Sequence, residues 1–267
     1  MIREITIGQY YPADSILHRL DPRVKFIGTI LYIISLFLIR NRGYIVAAAF
    51  LAALILLSKV PFRFMIRGLK AIIFLLLFTM ILNTFLTPGE IVWQWKALHI
   101  TKEGLRTAGT MAVRLILLIL GASLMTLTTT PNILTSGMET LFRPLKKIHV
   151  PVHEIAMMMS IALRFIPILL EETDKIMKAQ TARGADFETG GLLRRAKAMI
   201  PLLVPLFISA FRRANDLALA MEARCYHGGE GRTKMKPLVY QTRDYIAYGI
   251  ILAYFALILF LRIRFRM

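Results

Sequence analysis

Two short copies of one pattern, Ala182-Arg183-Gly184 and Ala223-Arg224-Cys225, are the residues whose types and spacing best fit a defined chemistry. Their surroundings repeat too. Ala179–Gly184 aligns without a gap on Ala220–Cys225, an acid (Asp174, Asp216) precedes each arginine by about two helical turns, and glycine pairs follow at Gly190-Gly191 and Gly228-Gly229. Each copy lies near the end of a long amphipathic stretch. A guanidinium flanked by small residues can lead a helix tip into a narrow groove and grip a carboxylate through two parallel hydrogen bonds. One copy alone reads as a basic helix cap, with the cation complementing the negative end of the helix dipole. The matched pair favours docking over capping, and neither reading is catalytic.

Other constellations are weaker. His149 and His153 have a zinc-like spacing, but Pro151 between them marks a helix boundary that spoils a shared face. Cys225-Tyr226-His227 offers a thiolate and an imidazole without a second cluster, so no metal site is expected. Glu171, Glu172 and Asp174 lie beside Lys175 and Lys178 on what reads as a solvated helix face. Met157-Met158-Met159, in the apolar run Ile155–Leu163, suits either core packing or an adaptable greasy surface. There is no P-loop, HExxH or serine elbow. No catalytic residue and no cofactor are expected, and any ATP used must be hydrolysed by another chain.

These residues need elements to position them, and the composition says where those elements lie. Hydrophobic residues form 57% of the 267-residue chain, at a level that marks a membrane protein. The net charge of +18 divides into +9 over residues 1–130, +6 over 131–244 and +3 over 245–267. The middle region mixes both signs densely, as a water- or partner-facing part would. Basic loops in a membrane protein report topology and anionic lipid rather than nucleic acid, and no nucleic-acid module is present. The single cysteine excludes an internal disulfide. The first 20 residues carry charges and no apolar core, so the first span is expected to act as its own insertion signal.

The expected fold is all-α: a polytopic membrane protein with about five spans and a cytoplasmic set of long amphipathic helices. Asp21-Pro22 signals a helix start, with Asp21 as cap and Pro22 in the first turn. Spans follow over 26–39, 44–58, 71–86 and 107–129, and a last one over 245–261. A turn is expected at Asn41-Arg42-Gly43, and a basic interfacial loop over 59–70. The longest outer connection is 90–103, with Trp93 and Trp95 at headgroup level. Arg114 falls inside the fourth span and reads as a snorkelling cation near its outer end. Residues 131–148, 151–183 and 192–225 are predicted amphipathic helices. The apolar halves of the last two (Ile155–Leu163, Ala198–Phe211) are broken by Arg164, Pro167, Pro201 and Pro205 and fall short of spanning length. Three regions result: 1–130, 131–243 and 244–267. The positive-inside rule puts the N-terminus and the middle region in the cytoplasm, against which the tail Arg262, Arg264 and Arg266 is an exception.

The chain resembles the transmembrane T component (EcfT, or CbiQ-like) of energy-coupling factor transporters, the vitamin and metal importers. The resemblance rests on Leu17-His18-Arg19-Leu20-Asp21-Pro22-Arg23-Val24-Lys25, on Arg164-Phe165-Ile166-Pro167, and on the two Ala-Arg-x motifs. It departs at Cys225, where the family often has glycine, which makes a left-handed cap less comfortable. The resemblance implies two ABC-type ATPases, each receiving one arginine-bearing tip, and a substrate-binding membrane S component resting on Met157, Met158, Met159 and Leu163. It also implies a cell-membrane location, with ATP bound by the partners. Two rivals are the permease of an ordinary ABC importer and a membrane enzyme built on Arg114, Glu103 and the histidines. The enzyme needs ionisable groups converging at membrane depth, where only Arg114 qualifies.

Overall fold

The computed structural model describes residues 10–39, 43–95, 98–187, 191–229, 233, 235 and 237–264. They form α1 (Pro22–Leu38), α2 (Gly43–Ser58), α3 (Phe62–Leu86), β1 (Ile91–Trp95), β2 (Leu98–Thr101), α4 (Lys102–Thr128), α5 (Pro131–Phe142), a 3-10 helix (Arg143–Ile148), α6 (Val152–Ala182), α7 (Leu192–Glu222) and α8 (Thr242–Arg264). The all-helical membrane architecture expected from hydropathy is the one observed. Among the described residues it adds a small antiparallel ribbon, β1–β2, in the long connection after α3. By length and composition α4, α6 and α8 can cross a membrane, while Gly43–Ser58 and Ile72–Leu86 are shorter apolar helices.

The chain divides into two compact units. One comprises Gly8–Gly137 with Leu238–Met267; the other contains Met138–Pro237. In the first unit, α1 and α8 run parallel and in register. The Asp21 N–H donates to Asp244 Oδ1 (2.9 Å), a Cβ on Gly28 would strike Ile251, and Ser35 Oγ and Tyr254 OH share a 2.9 Å hydrogen bond. Helix α4 runs the opposite way, with its Thr128 carbonyl accepting from Lys25 Nζ at 2.8 Å. Tyr32, Leu36, Leu51, Leu120, Leu124 and Ile258 form the buried centre. Gly121 leaves room for the Tyr32 ring, which a Cβ would meet at 2.6 Å, and Phe50 stacks on Tyr254 at 4.1 Å.

Asp21 caps α1 as its type predicts, its side chain accepting from the Arg23 N–H. Several boundaries differ from expectation. The basic segment after Lys59 is helical from Phe62 and runs unbroken into the third span as α3, because Gly68 is its only helix-weakening residue. Helix α4 starts at Lys102, where Thr101 accepts from the Gly104 N–H, rather than at 107. Helix α5 stops at Phe142, and Pro144, which has no N–H to donate, begins the tighter 3-10 turns. Helix α6 passes through Arg164 and Pro167 without a break, so its apolar part is not too short to span. Asn41, Arg42, Gly190 and Arg266, and the side chains of Trp93 and Trp95, lie outside the described residues.

Candidate functional site

The two Ala-Arg-x motifs end α6 and α7, and they end them in the same way. At the first, the Gly184 N–H donates to the Thr181 carbonyl (3.0 Å) and the Ala185 N–H to Gln180 (3.0 Å), with Gly184 at φ +88°. At the second, the Cys225 N–H donates to Glu222 (2.9 Å) and the Tyr226 N–H to Met221 (3.1 Å), with Cys225 at φ 54°. Both are Schellman closures, in which the orphan carbonyls of the last turn are satisfied by a left-handed residue and its successor. Each arginine is the last residue before the left-handed position. Ala182, Arg183, Gly184, Ala223, Arg224 and Cys225 are all exposed. Among the described residues, neither Arg183 nor Arg224 makes an ion pair or side-chain hydrogen bond. Their charge therefore faces outward, on backbone that the cap has already fixed.

The helices that carry the tips pack antiparallel. Glu172 accepts from the Ser209 hydroxyl at 2.5 Å and from Arg213 Nη2 at 2.9 Å, and Gln180 Nε2 reaches the Pro201 carbonyl at 3.4 Å. The first tip thus lies close to Pro201, while the second is the remaining length of α7 away, roughly 35 Å at helical rise. One pair of helices presents two cationic tips at opposite ends.

The methionine cluster divides. Met158 (58% exposed) and Met159 (51%) face outward, whereas Met157 and Leu163 are half-buried. Composition alone did not single out the stronger apolar surface, which is on α7. Ile200, Val204, Phe207 and Phe211 recur every three or four residues and are all more than half exposed. That spacing was legible as a helical stripe; its lack of cover was not.

The motif Leu17–Lys25 builds a buried polar knot. The Asp21 carboxylate pairs with Arg23 through Nε (2.9 Å) and Nη2 (2.8 Å), both side chains under one-tenth exposed. The Arg23 guanidinium lies 3.7 Å over the Tyr240 ring and donates to the Leu238 carbonyl. Asp244, 1% exposed, accepts from the Asp21 N–H and, with its other oxygen, from the Gln241 N–H. Lys25 ties His18 and Thr128 carbonyls together. Outside the helix, His18 bonds the Tyr11 carbonyl and Ser15, and burial pushes its pKa below the ordinary value. The knot joins the start of α1, the end of α4 and the start of α8. Tyr240 and Asp244 were missed in the sequence because their partners lie more than 200 positions away.

The remaining candidates stay apart. His149 takes a left-handed turn at φ 62°, while His153 Nδ1 bonds Glu139 at 2.9 Å, so the two do not share a face. Among the described residues, no group of three His, Cys, Asp or Glu gathers to hold a metal. Arg114 donates to Tyr44 OH at 2.9 Å and lies over the Phe37 and Tyr44 rings. It is held where α1 ends and α2 begins, apart from Glu103, which accepts from the Glu90 N–H.

Residues 13–235 match the family model CbiQ, "Cobalt transport protein". The chain is 56% identical to the energy-coupling factor transporter transmembrane protein EcfT of Ruminiclostridium cellulolyticum, over 94% of both chains. It is 56% identical to that of Clostridium kluyveri over 92% of this chain and 93% of the relative. Against that of Bacillus subtilis the identity is 49%, over 98% and 100%. The chain therefore belongs to the family of energy-coupling factor transporter transmembrane proteins.

Proposed function

We propose that this transporter component couples two ATPase subunits to a membrane S component that binds the vitamin or metal ion, by docking one ATPase on each arginine tip. The observation that carries the reading is the pair of identically closed, unpaired, exposed cationic tips at opposite ends of α6–α7. A single basic cap needs no duplicate, and one coupling tip would serve an ordinary permease. ATP binding that draws the ATPases together would move the tips relative to each other, and the apolar faces of α6 and α7 would transmit that motion to the S component. The substrate would touch the S component and not this chain.

The same reading keeps residues 131–243 in the cytoplasm. Helix α4 ends and α8 begins beside the N-terminus of α1, so the intervening chain leaves and returns at one end of the bundle. Its crossings must then be even in number. Among the described residues of this stretch, helix α6 alone has the length and hydropathy of a span, and α7, with Arg212, Arg213, Asp216 and Glu222 along it, supplies no apolar return path. With no crossing in residues 131–243, the chain crosses five times, by α1, α2, α3, α4 and α8.

Co-purification tests the docking. If each arginine is paired with buried carboxylates, truncating one costs about 2–5 kcal/mol, or roughly 30- to several-thousand-fold at that contact. Arg183→Ala or Arg224→Ala alone should weaken assembly and uncouple hydrolysis from transport. The double variant should insert normally and lose both ATPases, with lysine restoring binding only in part. A double-alanine protein that retains both ATPases at wild-type yield would leave the arginines as caps.

A further inference from the structure

Two polar joints hold α6 against α7, and they bracket a proline. Pro205, inside α7, has no N–H, so the Pro201 carbonyl four residues earlier loses its usual helical donor. A side chain from the neighbouring helix meets that carbonyl instead: Gln180 Nε2 donates to it at 3.4 Å. Beyond Pro205, Glu172 accepts from Ser209 at 2.5 Å and from Arg213 at 2.9 Å. This charge-assisted joint fixes the half of α7 after the proline, and Gln180 holds the half before it. The exposed apolar stripe is divided at the same point, with Ile200 and Val204 before Pro205 and Phe207 and Phe211 after it.

Gln180 also belongs to the first tip. Its own carbonyl accepts from the Arg183 and Ala185 N–H groups, both at 3.0 Å, which closes the cap that holds Arg183. One residue thus touches the tip through its backbone and α7 through its side chain. The aligned residue at the second tip is Met221, whose carbonyl accepts from Arg224 (3.2 Å) and Tyr226 (3.1 Å). A thioether has no hydrogen to donate, so Met221 has no equivalent reach. The second tip needs none, because it is the end of α7 itself.

We infer that Gln180 is a positioning residue that couples the first tip to the half of the stripe before Pro205, while the second tip governs the half after it along α7. The inference rests on the reading of the tips as ATPase docking points. A change in the separation of the ATPases then reaches the stripe on both sides of a weak point in the helix and bends it at Pro205. The surface offered to the S component changes shape instead of sliding as one piece.

The test uses the full chain with Cys225→Ser and spin labels at Leu193→Cys and Ala214→Cys. These exposed positions flank Pro205, roughly 31 Å apart at helical rise. The chain is purified with its two ATPases, and pulsed EPR reads the label separation with and without a non-hydrolysable ATP analogue. In this parent the distance should shift with nucleotide. Gln180→Met places the second tip's residue at the first and leaves the cap carbonyl intact; it should lose most of the shift with both ATPases still bound. Gln180→Lys, which restores a donor, should recover part of it. Pro205→Ala gives the Pro201 carbonyl a backbone N–H of its own. Its shift should be small, and adding Gln180→Met should change nothing further. A Gln180→Met complex that holds both ATPases and shifts like the parent would overturn the role of Gln180 alone. A parent distance indifferent to nucleotide would overturn bending at Pro205. A parent that captures no ATPase would instead sink the docking reading, and this inference with it.

Discussion

Cys225 holds a left-handed backbone conformation that Gly184 reaches at its equivalent position without a side-chain clash. A β-carbon there costs about 1 kcal/mol. Cys225→Gly should therefore tighten the second tip by up to about 1 kcal/mol, and Gly184→Ala should loosen the first by about as much. Amide exchange reads both: protection of the Tyr226 N–H should rise in the former and that of the Ala185 N–H fall in the latter. Since a Cβ on Gly184 would meet no other atom, strain alone accounts for the second effect. An unchanged Ala185 amide would mean that the first cap is not held by that glycine.

On the scale of elements, α6 and α7 are amphipathic helices whose apolar sides are only partly used against each other. Replacing Met157, Met158 and Met159 together by glutamate should weaken S-component capture, because charge would be buried against an apolar partner. Phe207→Glu on α7, where the ring is 61% exposed, should do the same. Neither change touches the tips, so ATPase binding should survive in pull-downs. Loss of ATPases with S-component capture intact would mean that the two faces have been assigned the wrong way round.

For the whole molecule, topology is the sharpest check. If residues 131–243 lie in the cytoplasm as proposed, Phe187→Cys in sealed cells should resist an impermeant thiol reagent added outside; rapid labelling would reverse the orientation. The polar knot adds a dependence on pH. Burial lowers the pKa of His18, so its neutral form is the one the fold favours. The unfolded segment then binds more protons below its ordinary pKa of 6.5, and docking of residues 10–20 should be complete above that pH and weaken as pH falls through it. A spin label at Ile16→Cys, with Cys225→Ser, should gain mobility on acidification. His18→Gln should remove the pH response. A label whose mobility ignores pH in the parent protein would count against the effect.

Much of this was written in local sequence. Apolar runs fix the spans because a bilayer core demands length and hydropathy from each segment separately. Asp21-Pro22 fixes the start of α1 because capping is satisfied within a few residues. The two Ala-Arg-x copies mark the tips because a helix end is a local event. What needed the tertiary structure depends on distant partners or on winding. The stripe on α7 is legible as a period, but its exposure depends on how α6 crosses it. Asp244 and Tyr240 look ordinary until α8 lies parallel to α1 and brings them to Asp21 and Arg23. The 3-10 winding of Arg143–Ile148 brings side chains three apart into line, an azimuth set by that winding rather than by residue type.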